Sequence, residues 1–441
     1  MDLGRGLPPI EAGGEQLMKS AKDLPYNFGV KMQAYPSSVQ KRTIDKNINF
    51  ARFYWNQLVG ANKEISKLRH DSTLLAWPWA DARIARLKEL ANPNGRMLKQ
   101  VYTFANDKDL DSNALMQAKA NYNAAWNLCR KVKSAQPPTF HKKQAFGSYQ
   151  TSNKYANPKT IDKATVFNGN IKFLDQSHIQ LPKIGRIRVA FSKKRYLRLK
   201  KMCEDGGELR LTKATISRDS FGSYYVSFQI ASDVLIKGSF EKTGSQIGID
   251  LNVDNFLTDS NGNVVDNPRY YKQTKKQLAK AQRKLSKRCV RAKKENRTLR
   301  TAKNYQKQRK LVAKIQRRVF RRRNAFLDVL STTLIKNHDL VAAEELRSKN
   351  MMKNHALAMS ISDVGWRTFL NMLEYKAEIH SKEFKAVNPR NTTQTSSCCG
   401  YVMSDKNKLT LKDREWTCPS CGVFHVRVHN AAKNILAKAL A

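Results

Sequence analysis

The stretch Ile247-Gly248-Ile249-Asp250-Leu251 decides the fold class of this 441-residue chain, because it is an apolar run of strand length that carries one carboxylate. The segment Phe256–Asp259 and the turn residues Ser260–Asn263 follow it, and this order predicts a β-hairpin. Further along, Leu340–Glu344 is a second short apolar run that again ends in an acid. The two runs predict two strands, each with one carboxylate at or near its end.

Asp250 and Glu344 are therefore candidate catalytic residues. An RNase H-like site uses two acids at the ends of neighbouring strands, since carboxylate oxygens suit Mg²⁺ and two ions about 3.5–4 Å apart clamp the attacking and leaving oxygens of a phosphodiester. Acids at strand ends are also compatible with a structural or solvent-facing role, so the pair by itself does not identify an enzyme.

Residues 268–323, between the two runs, carry 24 Lys and Arg against one acid, Glu295. Apolar residues recur there at helical spacing, which predicts a pair of basic helices. Such helices either contact phosphate or form a solvated face. The candidate nucleic-acid contacts in this segment are Lys275, Lys276, Arg317, Arg318 and Arg321.

The predicted secondary structure changes twice along the first half of the chain. Residues 1–24 are rich in Gly and Pro and predict a disordered leader. A strand from Phe28 to Tyr35 follows, and Ser37 or Ser38 is suited to cap the next helix. Helical patterns then continue to about Lys133. Alternating apolar residues in 160–235, around Ile179–Leu181, Ile187–Phe191, Leu209–Ser217 and Tyr224–Ile230, predict a compact antiparallel β-domain.

The composition indicates a polyanionic partner. Lys and Arg total 81 against 36 Asp and Glu, which gives a formal charge of +45 and a pI near 10.1. A charge this large favours nucleic acid, with an acidic membrane face as the weaker alternative. The sequence has no apolar run of membrane-spanning length and no signal-peptide pattern, so we expect a cytosolic or nuclear protein with no membrane partner.

Four of the seven cysteines cluster near the C-terminus, after a predicted helix from Phe369 to Phe384. Cys418-Pro-Ser-Cys421-Gly422 has the form of half a zinc ribbon. The upstream half, Ser396-Ser-Cys-Cys399-Gly, has serine at its first-ligand position. We therefore predict a weakened zinc site made of Cys399, Cys418 and Cys421, with Cys398 as a possible fourth ligand. The alternative is a ribbon that has lost its zinc.

These features, in this order, resemble the transposon-encoded TnpB family, whose relatives are the miniature type V CRISPR effectors. The resemblance covers about residues 28–438. It rests on both cysteine knuckles and on these landmarks: Tyr35-Pro36 with Gln40, Pro138–Lys143, Leu181–Gly185, Gly248–Leu251, Glu344–Leu346 with Asn350-Met351, Trp366 with Tyr375–Ala377, Thr392–Thr395 and Asn430–Ile435.

The resemblance implies a multidomain α+β fold. A helical recognition domain (38–135) is expected inside an antiparallel β-barrel wedge domain (25–37 and 136–240). An RNase H-like α/β domain of the RuvC type (241–395) would follow, with the basic helices 268–323 as an insertion, a zinc-ribbon-like element at 396–424 and a final helix at 425–441.

The resemblance also implies a function and partners. Family members hold a structured guide RNA whose 3′ segment pairs with a double-stranded DNA target, while the protein reads a short flanking DNA motif. In a prokaryote this implies a nucleoid-associated cytoplasmic protein. Lys142, Lys143, Lys183 and Arg186, in two of the matching segments, are candidate RNA or phosphate contacts, and each is equally compatible with plain surface charge.

At the family's catalytic positions the chain departs from the pattern. The first Asp and the Glu match Asp250 and Glu344, but the third Asp falls on Val428, and Val426 replaces the other aspartate of that motif. We therefore predict a nuclease-dead site, similar to the TnpB-like repressors called TldR, with Mg²⁺ needed only if the site is active. Two alternatives remain: an active endonuclease whose third ligand is Asp363 or Asp413, and a decayed general RNA-binding relic.

Overall fold

The computed structural model describes residues 21, 24–75, 77–91, 96–155, 164–234, 240–345, 364–404, 407–410 and 412–441. The chain divides into two compact units, Met1–Ile236 and Lys237–Ala441. The predicted disordered leader lies outside the described residues except for positions 21 and 24, and so does Asp363. The predicted domain boundaries within each unit stay predictions.

Within the described residues of the first unit, five α-helices lie between the first strand and the rest of the sheet. Ser37 caps the first of them, as predicted, since its hydroxyl accepts a hydrogen bond from Gln40 N (3.2 Å) while the Gln40 side chain accepts one from Ser37 N (3.0 Å). The elements are β1 (Tyr26–Tyr35), α1 (Ser38–His70), α2 (Ser72–Leu75), α3 (Ala80–Leu90), α4 (Arg96–Val101) and α5 (Ser112–Lys131).

The strands of this unit form one antiparallel sheet in the order β2-β6-β7-β1-β5-β4-β3. The remaining elements are β2 (Gly147–Ser152), β3 (Lys172–Asp175), β4 (His178–Leu181), β5 (Gly185–Ala190), α6 (Lys193–Glu204), β6 (Leu209–Arg218) and β7 (Tyr224–Ser232). The sheet curls, because Asn170 N next to β3 donates to the carbonyl of Lys154 just past β2 (3.0 Å). The antiparallel β-domain is thus confirmed, whereas its description as a barrel stays a prediction.

The second unit has a mixed five-stranded sheet in the order β10-β9-β8-β11-β12. The hairpin predicted from 247–259 is present as β8 (Gln246–Leu251), β9 (Asn255–Asp259) and β10 (Val264–Asp266), which are antiparallel. The strands β11 (Leu340–Glu344) and β12 (Glu383–Val387) extend the sheet in parallel with β8. A separate hairpin consists of β13 (Glu415–Thr417) and β14 (Phe424–Val426).

Helices cover both faces of this sheet. The basic pair is present as α7 (Tyr270–Lys294) and α8 (Lys303–Asn337), and α8 continues past residue 323 so that Leu327 and Leu334 pack in the core. This core also holds α9 (Trp366–Ile379) and the strand residues Val341 and Ala343. The alternate strand residues Leu340 and Ala342 face α10 (Arg427–Leu440) on the other side, as the two-residue period of a strand requires.

The predicted helix from Phe369 to Phe384 is wrong at its end. The helix α9 ends at Ile379, and Phe384 belongs to β12, where it pairs with Val341 of β11. Pairing with the sheet therefore decides the conformation of this short segment, which local helical spacing does not reveal. None of the helices within the described part of the chain combines the length and the apolar character that crossing a membrane requires.

Candidate functional site

The two candidate acids lie at the ends of neighbouring parallel strands. Asp250 is the fifth residue of β8, and Glu344 is the last residue of β11. Residues two apart in a strand share one face of the sheet. Asp250 is two residues from Gly248, and Glu344 is two residues from Ala342, so both acids lie on the face that α10 covers. We call Asp250 and Glu344 the carboxylate pair.

Burial makes this pair hard to ionise without a cation. Burial, and then the negative charge of Glu344, raise the pKa of Asp250 to about 7, while the charge of Arg427 opposes this shift. Burial also raises the pKa of Glu344, and a hydrogen bond from the Thr392 hydroxyl works in the opposite direction. Such raised pKa values are typical of acids at functional sites, although structural pairs show them too.

Close packing fixes α10 against β8 beside the pair. A methyl group added at Gly248 would lie 2.2 Å from the carbonyl oxygen of Ala432, so only glycine permits this approach. Val428 lies four residues before Ala432 on the same helix, one turn nearer the N-terminus, and is half-buried. Arg427, in the same first turn, is near enough to lower the pKa of Asp250. The first turn of α10 therefore brings the charge of Arg427 close to Asp250.

No carboxylate of α10 completes the pair. The first turn of this helix contains no acid, and Val426, which caps it, is 40% exposed. Asp413 accepts hydrogen bonds from the backbone and hydroxyl of Thr410, and within the described residues it forms no three-ligand group with Asp250 and Glu344. The other predicted substitute, Asp363, lies outside the described residues.

Two asparagines of α10 hold the segment 392–397, which we call the strap. Asn434 Nδ2 donates to the carbonyls of Thr392 (2.8 Å) and Thr395 (2.6 Å). Asn430 Nδ2 donates to the Thr395 carbonyl (2.7 Å), and its Oδ1 accepts from Ser397 N (2.8 Å). The sequence motif Asn430–Ile435 was recognised, but this role of its asparagines was missed. Two polar residues four apart on an otherwise apolar helix face are the pattern that would have indicated it.

The other end of the strap reaches a group of three cysteine sulfurs, which we call the sulfur cluster. The Sγ atoms of Cys399, Cys418 and Cys421 all lie within 4.8 Å of one another, and those of Cys399 and Cys418 are 3.6 Å apart. A tetrahedral site with Zn–S bonds of about 2.3 Å has edges of about 3.8 Å, so the cluster could hold a metal ion. Cys398 is exposed and lies outside the cluster, so it is not brought in as a fourth ligand.

Polar groups surround the sulfur cluster. The backbone N–H of Tyr401, and then the Ser396 hydroxyl, lower the pKa of the Cys399 thiol, which favours the thiolate that binds metals. Ser396 Oγ lies 3.9 Å from Cys421 Sγ and 3.0 Å from Nε2 of His425. His425 is buried and packs on the ring of Trp416, with 4.5 Å between the ring centroids.

The predicted nucleic-acid contacts lie in different places. Lys275 and Lys276 on α7, and Arg318 and Arg321 on α8, are exposed, while Arg317 is half-buried. The segment 268–323 contains 24 Lys and Arg and a single acid, Glu295, which can pair with only a few of them. In the first unit, Lys183 has a positive φ of 62° between β4 and β5, and the Arg186 guanidinium donates to Asp175 (3.2 Å).

Lys142 and the exposed Lys143 follow a stacked aromatic pair in the first unit. The ring of Trp55 on α1 stacks on His141, with 4.5 Å between centroids and 8° between planes. Both rings and Lys142 line a cavity of about 1020 Å³. Further lining residues are Lys31, Arg52, Phe140, Phe146 and Tyr225. Aromatic faces beside cations suit nucleic-acid bases and phosphates.

Two family models match consecutive segments of the second unit. The model described as "Probable transposase" (OrfB_IS605) matches residues 238–355, and the model described as "Cas12f1-like, TNB domain" matches residues 366–435. The first segment contains the carboxylate pair, and the second contains the strap, the sulfur cluster and Val428. These matches support the predicted resemblance to TnpB and Cas12f-like proteins, without distinguishing a subtype.

Named relatives point the same way. A protein of Streptomyces pristinaespiralis named "Putative RNA-guided DNA endonuclease" is 35% identical over 230 residues, which are 52% of this chain and 53% of that protein. "Putative RNA-guided DNA endonuclease InsQ" of Escherichia coli (strain K12) is 28% identical over 284 residues, 60% of this chain and 63% of that protein. The chain thus matches only about half to three fifths of the length of these relatives.

Among solved structures, the chain is similar to the protein in "Cryo-EM structure of the Cas12f1-sgRNA-target DNA complex". The TM-score is 0.48 and the sequence identity is 13%, over 93% of this chain and 98% of that chain.

Proposed function

We propose that this protein binds DNA under the direction of a guide RNA, and that its RuvC-like site does not cleave the DNA. The proposal for binding rests on the relatives named as RNA-guided DNA endonucleases and on the formal charge of +45. A structured RNA and a double-stranded DNA target with a short flanking motif would be the partners. Sequence specificity would then come from base pairing, and the protein would hold backbone and duplex shape.

The proposed surfaces for these polyanions carry exposed cations. On the second unit they are the faces of α7 and α8, where Lys275, Lys276, Arg318 and Arg321 are exposed. On the first unit the cavity beside Trp55 and His141 combines stacked rings with Lys142. Contacts of this kind neutralise phosphates and tolerate many sequences, which suits a protein whose target choice is delegated to RNA.

One observation carries the second part of the proposal: Val428 lies in the first turn of α10, the same turn whose Arg427 lowers the pKa of Asp250. A two-ion phosphodiesterase needs oxygen ligands that hold both ions, and an isopropyl group offers none. The remaining donors, Asp250 and Glu344, do not fit a complete two-ion site. We therefore propose no hydrolytic step, and we assign the pair a structural role in this chain.

Binding without cleavage has a direct consequence for transcription. A protein that stays on a guide-matched duplex near a promoter blocks polymerase by occupancy, as proposed for the nuclease-dead TnpB-like repressors. An active endonuclease is the second candidate function. It is favoured by the presence of both Asp250 and Glu344 at adjacent strand ends, and by the names of the relatives.

The first experiment is to sequence the RNA that copurifies with the protein from its native host. We expect one dominant RNA with a folded scaffold and a 3′ segment that matches a genomic site. A featureless mixture of cellular RNA would refute guided binding and leave the general RNA-binding relic. With the guide known, gel-shift and cleavage assays on the matching duplex in Mg²⁺ separate the remaining functions.

In those assays we expect guide-dependent binding and intact DNA. The matched variant is Val428→Asp, which supplies a carboxylate in the first turn of α10. It is tested alone and together with Val426→Asp. Guided cleavage by the unmodified protein would refute the inactive site outright. Cleavage by the variant alone would support the assignment of residue 428 as the missing ligand position.

A further inference from the structure

One face of the sheet in the first unit combines aromatic rings with cations. On β1, Lys31, Gln33 and Tyr35 share this face because they are two residues apart. Arg188 of β5 lies directly opposite Tyr35, and Tyr225 of β7 lies directly opposite Gln33, so their side chains are on the same face. We call these five residues the outer face, because the intervening side chains of β1 point into the core.

The outer face is suited to a polyanion. Lys31, Tyr35 and Arg188 are exposed, and Gln33 and Tyr225 are half-buried. The strands β1, β2, β5, β6 and β7 contain no Asp or Glu, so these strands offer the cations no carboxylate. A negatively charged partner is therefore attracted by the cations and is not repelled by any acid of these strands.

The two tyrosines of the outer face are placed as a pair. Tyr35 is two residues beyond Gln33, the residue opposite Tyr225, so the two tyrosines occupy diagonal positions about 7–8 Å apart. Arg188 Cζ lies 5.5 Å from the centroid of the Tyr35 ring, and Lys31 Nζ lies 5.0 Å from that of Tyr225. Each ring thus has its own cation. Sheets that bind single strands use this combination, in which a ring stacks a base and a cation neutralises phosphate.

A glutamine side chain fixes one end of the outer face. Gln40 Nε2 donates to the carbonyls of Arg186 (2.7 Å) and Ile184 (3.3 Å), which ties the start of β5 to the start of α1. Two sequence landmarks therefore meet here, the segment that begins at Tyr35 and the segment Leu181–Gly185. A ring whose strand is already held in place loses little freedom on binding, which favours affinity.

We propose that the outer face is a stacking platform for an unpaired segment of RNA, with one base on Tyr35 and another on Tyr225. The inference rests on the proposed function, in which one partner is a structured RNA, and it names a place where the protein holds that RNA. Loops and bulges of a folded RNA present unstacked bases, whereas a DNA duplex keeps its bases paired. The platform continues into the cavity beside Trp55 and His141, which Lys31 and Tyr225 also line.

Photocrosslinking of the full chain tests the proposal. The probe is an unstructured RNA of about 12 nucleotides, within the usual size of a single-strand site, that carries 5-iodouridine. Light joins this base covalently to an aromatic side chain in contact with it, and mass spectrometry identifies the modified peptide. We expect adducts on Tyr35 and Tyr225. The DNA version of the same oligonucleotide is the second probe, and adducts formed with DNA alone would overturn the assignment to RNA.

Matched variants separate stacking from charge. Because other basic surfaces also bind RNA, the readout is the RNA concentration that gives half of the adducts at the remaining tyrosine of the pair. Tyr35→Ala should raise this concentration at Tyr225 by about five- to a hundredfold, the usual effect of losing a stacked base, with the salt dependence unchanged. Tyr35→Phe should keep the affinity, since the ring remains. Arg188→Ala should lower the slope of the salt dependence by about one.

Tyr26 supplies the control. It is exposed on the same strand, but it lies an odd number of residues from Tyr35 and so alternates to the other side of β1. Tyr26→Ala should leave the adducts at both tyrosines unchanged. Equal losses for Tyr26→Ala and Tyr35→Ala would overturn the platform, and so would a Tyr35→Phe variant that binds as weakly as Tyr35→Ala.

Failure of this inference can be told apart from failure of the proposed function. One dominant copurifying RNA, together with oligonucleotide adducts only on α7 and α8, would overturn the platform and leave guided binding intact. A featureless mixture of copurifying RNA, together with adducts on Tyr35 and Tyr225, would refute guidance and still support the platform.

Discussion

The carboxylate pair and the sulfur cluster lie at opposite ends of the same strap, and they depart from the family pattern in different ways. Thr392 donates to Glu344 at one end, and Ser396 contacts the cluster at the other. At the pair, valine stands where the resemblance expects aspartate. At the cluster, serine stands where it expects cysteine, and His425 lies 3.0 Å behind it.

The comparison shows that the effect of losing a metal ligand depends on which residues lie next to the lost position. Val428 is part of the packed helix α10, and the nearby residues Ala431 and Ala432 on that helix are fully buried. Next to Ser396 lies a second polar side chain, the buried imidazole of His425. The backbone around the carboxylate pair and the sulfur cluster is held in position. Gly248 lets α10 pack on β8, and Asn430 and Asn434 hydrogen-bond to the strap. Each prediction below changes one part of this arrangement.

The largest effect is expected from Gly248→Ala, which tests the shared scaffold. The added methyl would lie 2.2 Å from the carbonyl of Ala432, and neither backbone can yield easily. Overpacking of this kind costs about 3 kcal/mol or more. Denaturant unfolding measures the loss. Gly29→Ala in β1 is the control, since its methyl would have no neighbour closer than 3.9 Å. Equal stability of the two variants would contradict the close packing of α10 on β8.

The second effect concerns the buried Asp250. Its pKa is raised from 3.8 to about 7, so between these values the folded protein holds a proton that the unfolded chain releases. Stability should therefore fall as the pH rises from about 4 to 7, and level off above 7. In the presence of chelator, Asp250→Asn should be more stable than the unmodified protein above pH 7, by at most about 4 kcal/mol.

The difference between the two proteins should disappear below about pH 3, where Asp250 is protonated in both states. Asp254 provides the control, because its exposed carboxyl pairs with Arg414, so Asp254→Asn should not reproduce this pH dependence. A stability difference that stayed constant from pH 4 to pH 8 would mean that Asp250 is already ionised and paired in the folded protein.

Much of this arrangement could be predicted from sequence, and the missing parts have physical causes. Alternating apolar residues indicated β4 to β7, the apolar run and turn at 247–263 indicated β8 and β9, and the cap of α1 was narrowed to Ser37 or Ser38. The strand β2 was missed because it is largely polar, and α6 because only Leu199 of its twelve residues is buried. The contacts of Asn434 and His425 depend on residues more than 25 positions away. A local pattern can mark Asn434 as a polar residue on a buried helix face, but it does not identify the distant residues that it contacts.

The third prediction separates the strap from α10. Asn434→Ala removes the side-chain donor to the Thr392 carbonyl and one of the two to the Thr395 carbonyl, which keeps Asn430, and leaving a buried polar group unpaired costs about 2 kcal/mol. We expect faster hydrogen exchange in residues 392–397. Asn388→Ala, at an exposed asparagine outside the strap, is the control. If the strap couples the carboxylate pair to the sulfur cluster, Asn434→Ala should also weaken zinc binding. An unchanged zinc affinity would mean that the two sites are independent.

The smallest effect is expected from Val428→Asp, and it tests the comparison most directly. Without metal, a third acid beside Asp250 and Glu344 adds like charge and should lower stability at pH 8. With Mg²⁺ at about ten times its dissociation constant, the variant should recover about 1.4 kcal/mol, because the ion binds only the folded state. Val426→Asp, at an exposed position, should show neither change. If the unmodified protein gained as much from Mg²⁺ as the variant, the carboxylate pair would already hold the ion, and the contrast with the sulfur cluster would fail.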